Sequence, residues 1–191
     1  MPVLPIVRLG HPALRTPAEP VAPARVAERA FQRLIDDMVE SMSAAEGVGL
    51  AAPQVGFGLQ LFVYEAPAAE DAARAHPALP AIPLRIVVNP MVEPLPGELV
   101  YDWEGCLSIP DLRGLVPRHP AVRVRGLDRA GGALDYVARG FEARIVQHEF
   151  DHLNGVVFLD RMRDLQSLAF YEEWERFLAE SGAGARSAPP E

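Results

Sequence analysis

Residues 147–155 read Gln147-His148-Glu149-Phe150-Asp151-His152-Leu153-Asn154-Gly155, and the rest of the chain is organised around them. Their H-E-x-x-H pattern places His148 and His152 one turn apart on the same face of a helix, where two imidazoles can hold one divalent metal ion. Glu149, beside the first histidine, is the candidate base. Asn154-Gly155 supplies the C-terminal stop of this helix.

The residues flanking the pattern are mostly apolar, and only Arg144, Gln147 and Asp151 make a polar strip along the helix. A mostly buried helix is therefore predicted, and the carboxylate and imidazoles inside it need partners. Two core histidines can also be satisfied by backbone carbonyls, and a pattern with three fixed positions arises by chance. A third ligand is what separates the metal site from that alternative.

The composition excludes several classes of function. A chain of 191 residues fits one domain, and its net charge of −8 argues against a general nucleic-acid-binding surface. Its 18 basic residues are all arginine, which excludes a lysine nucleophile, a Schiff base and a P-loop. No apolar run approaches the length of a membrane span, and the first residues lack the pattern of a targeting leader, so we expect a cytoplasmic protein without membrane contact.

The predicted fold class is α+β, with short antiparallel strands folded around the central buried H-E-x-x-H helix and one further helix toward each end. Hydrophobic periodicity predicts helices over residues 25–44 and 165–180. Strands are predicted over residues 59–64, 85–89, 97–102, 114–117, 121–127 and 133–138. Residues 47–56 favour close backbone approach rather than a regular element, and residues 66–83 a surface loop. We expect residues 1–180 to form a single catalytic domain and 181–191 a flexible tail.

Two sources compete for the third ligand. Glu172 and Glu173 lie about twenty residues beyond the second histidine, as in many H-E-x-x-H peptidases, although an amphipathic surface helix explains them without a metal. Cys106 is the only cysteine and stands in EGCLSIP, residues 104–110. A thiolate beside two imidazoles would leave the fourth position open for water, whereas most free cysteines are small buried hydrophobes.

Three segments together resemble the signature motifs of the peptide deformylase family. They are GVGLAAPQVG at residues 47–56, EGCLSIP at 104–110 and QHEFDHLNG at 147–155, in the family's order. The N-terminal segment is similar as well, so the resemblance extends from about residue 6 to residue 160.

The resemblance implies a role for each matching residue. The metal ligands would be Cys106, His148 and His152, and the catalytic groups would be Glu149 as acid/base with the Gln54 amide and the Leu107 backbone N–H as oxyanion donors. The residues around the substrate would be Gly47, Gly49, Gly105 and Arg144. Gly49 matches a residue whose main chain pairs with substrate, whereas Gly47 and Gly105 would leave room for a substrate side chain. Arg144 would border the methionine pocket or lie on the polar strip with Asp151.

The implied activity is hydrolytic removal of the formyl group from the N-terminal formyl-methionine of new polypeptides, releasing formate. One Fe²⁺ per chain is the implied native cofactor, with Zn²⁺ or Ni²⁺ as substitutes, and transient contact with the ribosome is compatible with this role. The metal would lower the pKa of its bound water toward about 7, giving the hydroxide that attacks the formyl carbon. Glu149 would take the water proton and later deliver it to the leaving amine.

Two other hypotheses belong to different classes. A conventional zinc endopeptidase would use the downstream glutamate as its third ligand. A catalytically inactive binding protein would hold a closed structural metal site and would not need Glu149.

Overall fold

A computed structural model describes residues 2–66 and 81–181, with side chains up to residue 176 in the last helix. The predicted mixture of helices and antiparallel strands is confirmed in these residues. Most of the expected surface loop and nearly all of the expected tail lie outside them. None of the helices in the described ranges is both long and apolar enough to span a membrane.

Four α-helices occur in the described residues: α1 Pro23–Val26, α2 Arg29–Ala44, α3 Gly140–Leu153 and α4 Tyr171–Ser181. Helix α2 begins later than predicted, because α1 ends at Val26 and the chain turns before Arg29. Helix α4 also begins later than the predicted residue 165. A loop and a two-residue strand precede it.

Eight strands occur in the same residues: β1 Gly49–Ala51, β2 Leu61–Ala66, β3 Ile82–Pro94, β4 Val100–Cys106, β5 Ile109–Arg118, β6 Ala121–Leu127, β7 Ala133–Arg139 and β8 Ala169–Phe170. Strand β6 has the predicted bounds, whereas the prediction within β3 covers only its central part and that within β5 only residues near its C-terminal end. The prediction for β4 began and ended too early, because this strand starts at Val100 and extends to Cys106 in the EGCLSIP motif.

The five-stranded sheet, in the order β1-β2-β3-β6-β7, lies between α2 and α3. Side chains of β2 alternate between the two sides: Phe62 and Tyr64 pack in the core beside α3, and Leu61 and Val63 pack in the core beside α2. All four are fully buried. Strand β2 is therefore covered on both faces. Because β1 is paired with β2, this packing places the edge strand β1 beside α3.

The second sheet has three strands in the order β4-β5-β8. Strands β4 and β5 form a hairpin in which Cys106 is paired with Ile109 across a two-residue turn. Helix α4 covers this hairpin, and the Trp103 and Trp174 rings meet edge to face with centroids 6.1 Å apart. The hairpin turn thereby brings Cys106 to the C-terminal half of α3.

Candidate active site

Three donor side chains converge where α3 meets the β4–β5 turn. Helix α3 supplies His148 and His152, and the last residue of β4 supplies Cys106. One ligand atom from each lies within 4.8 Å of the others, and Cys106 Sγ is 3.3 Å from His152 Nε2. Within the described residues, this is the group of three donors close enough to hold one metal ion.

Glu104 orients the first histidine. Its Oε2 lies 2.9 Å from His148 Nδ1, which leaves Nε2 of that ring available as a ligand. The Phe158 ring stacks on the other side of His148, with centroids 6.4 Å apart. In His152, Nε2 faces Cys106, while Nδ1 has no hydrogen-bond partner among the described residues.

The electrostatics of this cluster favour a cation. Burial alone would lower the pKa of His148, but hydrogen bonds with Cys106 and Glu104 outweigh it and raise that pKa well above its usual value. Burial alone would raise the pKa of Glu104, but hydrogen bonds from Arg118 and His148 lower it well below its usual range. Burial and the neighbouring His148 charge lower the pKa of His152, which keeps that imidazole neutral. A positive charge is thus favoured at His148, between Cys106 and Glu104.

The chemistry of the donors also fits a divalent transition metal. A thiolate and two imidazoles are ligands that zinc and iron accept, and three protein ligands leave a coordination position for water. The competing ligands are placed differently, because Glu172 and Glu173 are exposed on α4 and Glu173 pairs with Arg176. The structure therefore favours the cysteine over the downstream glutamates as the third ligand.

Glu149 is the buried carboxylate next to this cluster. Only 3% of the residue is exposed, and its Oε2 has no hydrogen-bond partner among the described residues. Burial raises the pKa of Glu149 to about 7, and the charge of His148 opposes that shift. A carboxylate with this pKa can accept and return a proton near neutral pH.

Gly49 of β1 provides the space for the Glu149 carboxylate. A Cβ at Gly49 would lie 2.3 Å from Oε1 and 2.8 Å from Cδ of Glu149, both far inside contact distance. The missing side chain therefore fixes where this carboxylate can rest.

Gln54 is held with its amide nitrogen toward the cluster. The backbone N–H of Ala51 donates to Gln54 Oε1 over 2.8 Å, which orients the amide. Its Nε2 then points to Cys106 Sγ at 3.5 Å and to Ser108 Oγ at 3.4 Å. The residue is 1% exposed, so its amide is a preorganised donor beside Cys106 Sγ.

Comparison with known proteins identifies the family of this chain. The sequence model of the family described as Polypeptide deformylase matches residues 3–167. The chain belongs to the peptide deformylase family. Peptide deformylase 2 of Bordetella bronchiseptica is 46% identical over 167 residues, covering 87% of this chain and 92% of the relative. Family membership makes the chain a deformylase enzyme, which is a metal-dependent hydrolase.

Solved deformylase structures share the fold. The class I type b peptide deformylase from Acinetobacter baumannii with bound Met-Ala-Ser matches with a TM-score of 0.78 and 36% identity, covering 84% of this chain and 99% of that one. A peptide deformylase from Synechococcus elongatus in complex with actinonin matches with a TM-score of 0.74 and 34% identity. That match covers 100% of this chain and 92% of the other.

The glycines of this deformylase accommodate its own side chains. A Cβ at Gly47 would lie 2.7 Å from Leu107 Cδ1, and one at Gly105 would lie 2.0 Å from Arg113 Nη1. The expectation that Gly47 and Gly105 leave open space for a substrate side chain therefore needs correction. The Leu107 side chain and the Arg113 guanidinium fill that space.

Arg144 lies on the helix strip that it was expected to share with Asp151, and that strip is buried. Arg144 is 7% exposed, and its guanidinium donates to Glu104 and to the backbone carbonyls of Val100 and Val116. Asp151, expected on the same strip, is 4% exposed. Both side chains are committed to contacts inside the protein, so we do not assign Arg144 to substrate binding.

Glu104 and Arg118 are the site residues for which the sequence analysis gave no role. Arg118 donates to both Glu104 oxygens, over 2.8 Å and 3.0 Å, and to Asp151 Oδ2 over 2.6 Å. Glu104 stands in the EGCLSIP motif, so its position next to a ligand was a usable signal. Arg118 had no comparable signal, since it is one of many arginines in alternating strands.

Replacing Gly49 with alanine should separate folding from catalysis. The added methyl would displace the flexible end of Glu149 rather than backbone, so the protein should fold and bind metal while kcat falls by about 100-fold or more. The measurement is kcat together with metal content. Gly58→Ala is the matched control, because a Cβ there would meet nothing within 4 Å.

A second change in the same chain tests the cause. Asp at position 149 is one methylene shorter than Glu149, so the double variant Gly49→Ala/Glu149→Asp should have a higher kcat than the product of the two single effects allows. Unchanged kcat in Gly49→Ala would show that catalysis does not require the Glu149 carboxylate in its position beside Gly49.

Proposed function

We propose that this enzyme removes the formyl group from the N-terminal formyl-methionine of newly made polypeptides and releases formate. Family membership supports the activity, and one observation carries the assignment of the site. Glu149 directly follows the donor His148 on α3 and interacts with its charge, and one oxygen of its buried carboxylate has no hydrogen-bond partner among the described residues. We further propose that residues 1–180 act as a single catalytic domain built around α3.

The three donor residues would hold one divalent ion, for which we propose Fe²⁺ as the native metal with Zn²⁺ or Ni²⁺ as substitutes. When bound, the metal supplies Lewis-acid polarisation and lowers the pKa of a coordinated water. Glu149 accepts a proton from the attacking water through its unpartnered Oε2. The same carboxyl group then donates that proton to the nitrogen of the leaving amine, which a pKa of about 7 permits.

Gln54 and the turn residue Leu107 would stabilise the developing negative charge on the formyl oxygen. The Gln54 amide is already oriented by Ala51, so it needs no rearrangement to donate through Nε2. Leu107 lies in the turn between Cys106 and Ile109, where its backbone N–H is close in sequence to the thiolate. Loss of one such donor usually raises the barrier by roughly 3–4 kcal/mol.

The edge strand β1 supports binding of an extended peptide. It is the terminal strand of its sheet and is paired with β2 on one side, so its other edge can pair with a substrate backbone at Gly49. The Acinetobacter baumannii relative was crystallised with Met-Ala-Ser, a peptide that begins with methionine. We propose that such a peptide is the second product here. Contact with the ribosome and a cytoplasmic location stay predictions.

Formyl-Met-Ala-Ser should be a far better substrate than acetyl-Met-Ala-Ser. The formyl carbon carries only hydrogen where acetyl carries a methyl group, and a tight site discriminates against one extra carbon by roughly 10- to 200-fold in kcat/KM. Formate and acetate release are measured with iron-loaded protein, and metal-stripped protein is the control. Comparable kcat/KM for the two peptides would contradict the proposed substrate.

A further inference from the structure

We infer that Arg144 is a positioning residue that fastens the strand carrying Cys106 to the helix carrying His148 and His152, and so sets the spacing of the three metal donors. The inference deepens the proposed function, on which it rests, by naming what holds the proposed site together. Arg144 itself touches none of the three donors in the contacts that define the site.

The donors come from two parts of the fold that need a connection. Helix α3 packs against the strands of the five-stranded sheet, whereas β4 belongs to the three-stranded sheet. Hydrophobic contact between α3 and its own sheet therefore does not fix the position of Cys106. Cys106 packs with Val157 and Phe158, which follow α3, and polar side chains of α3 add direct connections to the β4–β5 hairpin.

Arg144 makes several such contacts from a single guanidinium. Its Nη2 donates to the carbonyl of Val100 over 2.7 Å, at the start of β4. Its Nη1 lies 2.8 Å from Glu104 Oε1 and 2.8 Å from the carbonyl of Val116 in β5. One side chain of α3 thus reaches both ends of β4 and the neighbouring strand.

The contact with Glu104 connects Arg144 directly to a ligand. Arg144 and His148 are four residues apart on α3 and therefore lie on the same face of the helix. Both contact the Glu104 carboxylate, but at different oxygens. Arg144 Nη1 donates to Oε1, and His148 Nδ1 contacts Oε2. Because Glu104 is two residues before Cys106, this carboxylate sets the distance between the imidazole and the thiolate.

Arg118 makes the second connection, from β5 to Glu104 and to Asp151 of α3. Arg144 can be removed without leaving the Glu104 carboxylate unpaired. Without Arg144, the buried Glu104 keeps a charged partner in Arg118, so the protein can fold. The carbonyl contacts to β4 and β5 would be lost, which loosens the hairpin that carries Cys106.

The test compares Arg144→Met and Arg144→Lys with the wild type, using Co²⁺ and Zn²⁺ as probes in the absence of substrate. Arg144→Met should lose Zn²⁺ to a chelator about 10- to 100-fold faster, the range typical of residues that orient metal ligands. Its Co²⁺ form should have a weaker thiolate-to-metal absorption band, while circular dichroism stays native. Arg123→Met is the matched control, because Arg123 is an exposed β6 residue paired with Asp135.

Arg144→Lys covers the case in which the methionine variant does not fold. A lysine ammonium keeps the charge beside Glu104 but cannot reach Val100 and Glu104 together. The Arg144→Lys variant should therefore lose Zn²⁺ faster than the wild type but more slowly than Arg144→Met. If Arg144→Met does not fold, a faster loss than in the wild type is the expected result for Arg144→Lys. A wild-type rate in every folded variant would overturn the inference. Formate release by the wild type tests the proposed function separately, since the metal-loss assay contains no substrate.

Discussion

Replacing Glu149 with alanine should lower kcat for formyl-peptide hydrolysis by about 100- to 10,000-fold, the usual contribution of a general acid/base. Metal content should stay near that of the wild type, because the predicted ligands are Cys106, His148 and His152. The carboxylate that would accept and return the proton is absent from this variant. Formate release and metal content are measured on the same preparation.

Glu149→Gln is the informative companion to this variant. It keeps the size of the side chain in the space beside Gly49 but cannot accept a proton, so its kcat should be as low as that of Glu149→Ala. Near-native kcat in either variant would identify Glu149 as a buried structural carboxylate. Loss of metal from both would mean that Glu149 acts on the metal site rather than on the proton.

Replacing Cys106 with alanine should weaken metal affinity by more than about 100-fold and abolish formate release. Loss of a residue that only orients a metal ligand costs up to about 100-fold in affinity, so loss of a ligand itself should cost more. Cys106 Sγ lies 3.3 Å from His152 Nε2, and no carboxylate of the described residues is grouped with the two histidines. Metal content after dialysis and formate release at saturating metal measure the two effects.

Cys106→Ser tests whether sulfur itself is required. A serine hydroxyl has nearly the same shape but is a much poorer ligand for a soft metal site, so affinity should fall almost as far as in Cys106→Ala. A Cys106→Ser variant that kept its metal and cleaved internal peptide bonds would revive the zinc endopeptidase with a downstream glutamate. The exposed positions of Glu172 and Glu173 argue against that result.

The sequence alone identified the features that depend on near neighbours in the chain. Two histidines four residues apart must share a helix face, so His148 and His152 were paired without any tertiary information. The alternation of residues 122–125 identified β6, and Pro120 and Asp128 on either side gave its bounds. The three motifs supplied the family, because their residue types and order are specific even when their contacts are unknown.

Structural features that form by contact between segments far apart in the chain could not be predicted from the sequence. Strand β1 consists of three residues of a small-residue stretch, and only its register with β2 makes it a strand. The glycines marked close approach, but which side chain approaches depends on the fold. At Gly49 it is the carboxylate of Glu149, and at Gly105 it is the guanidinium of Arg113.

The buried charges show the same limit most clearly. Helical periodicity places Arg144 and Asp151 on one strip, and a polar strip on a helix normally faces solvent. Here Arg144 meets Glu104 from 40 residues earlier in the chain, and Asp151 meets Arg118 from 33 residues earlier. Periodicity determines which residues share a face, whereas the sheet packed against that face determines whether it meets water or compensating charges. The sequence therefore determined the proposed ligands and their chemistry, and only the tertiary structure decided what holds them in place.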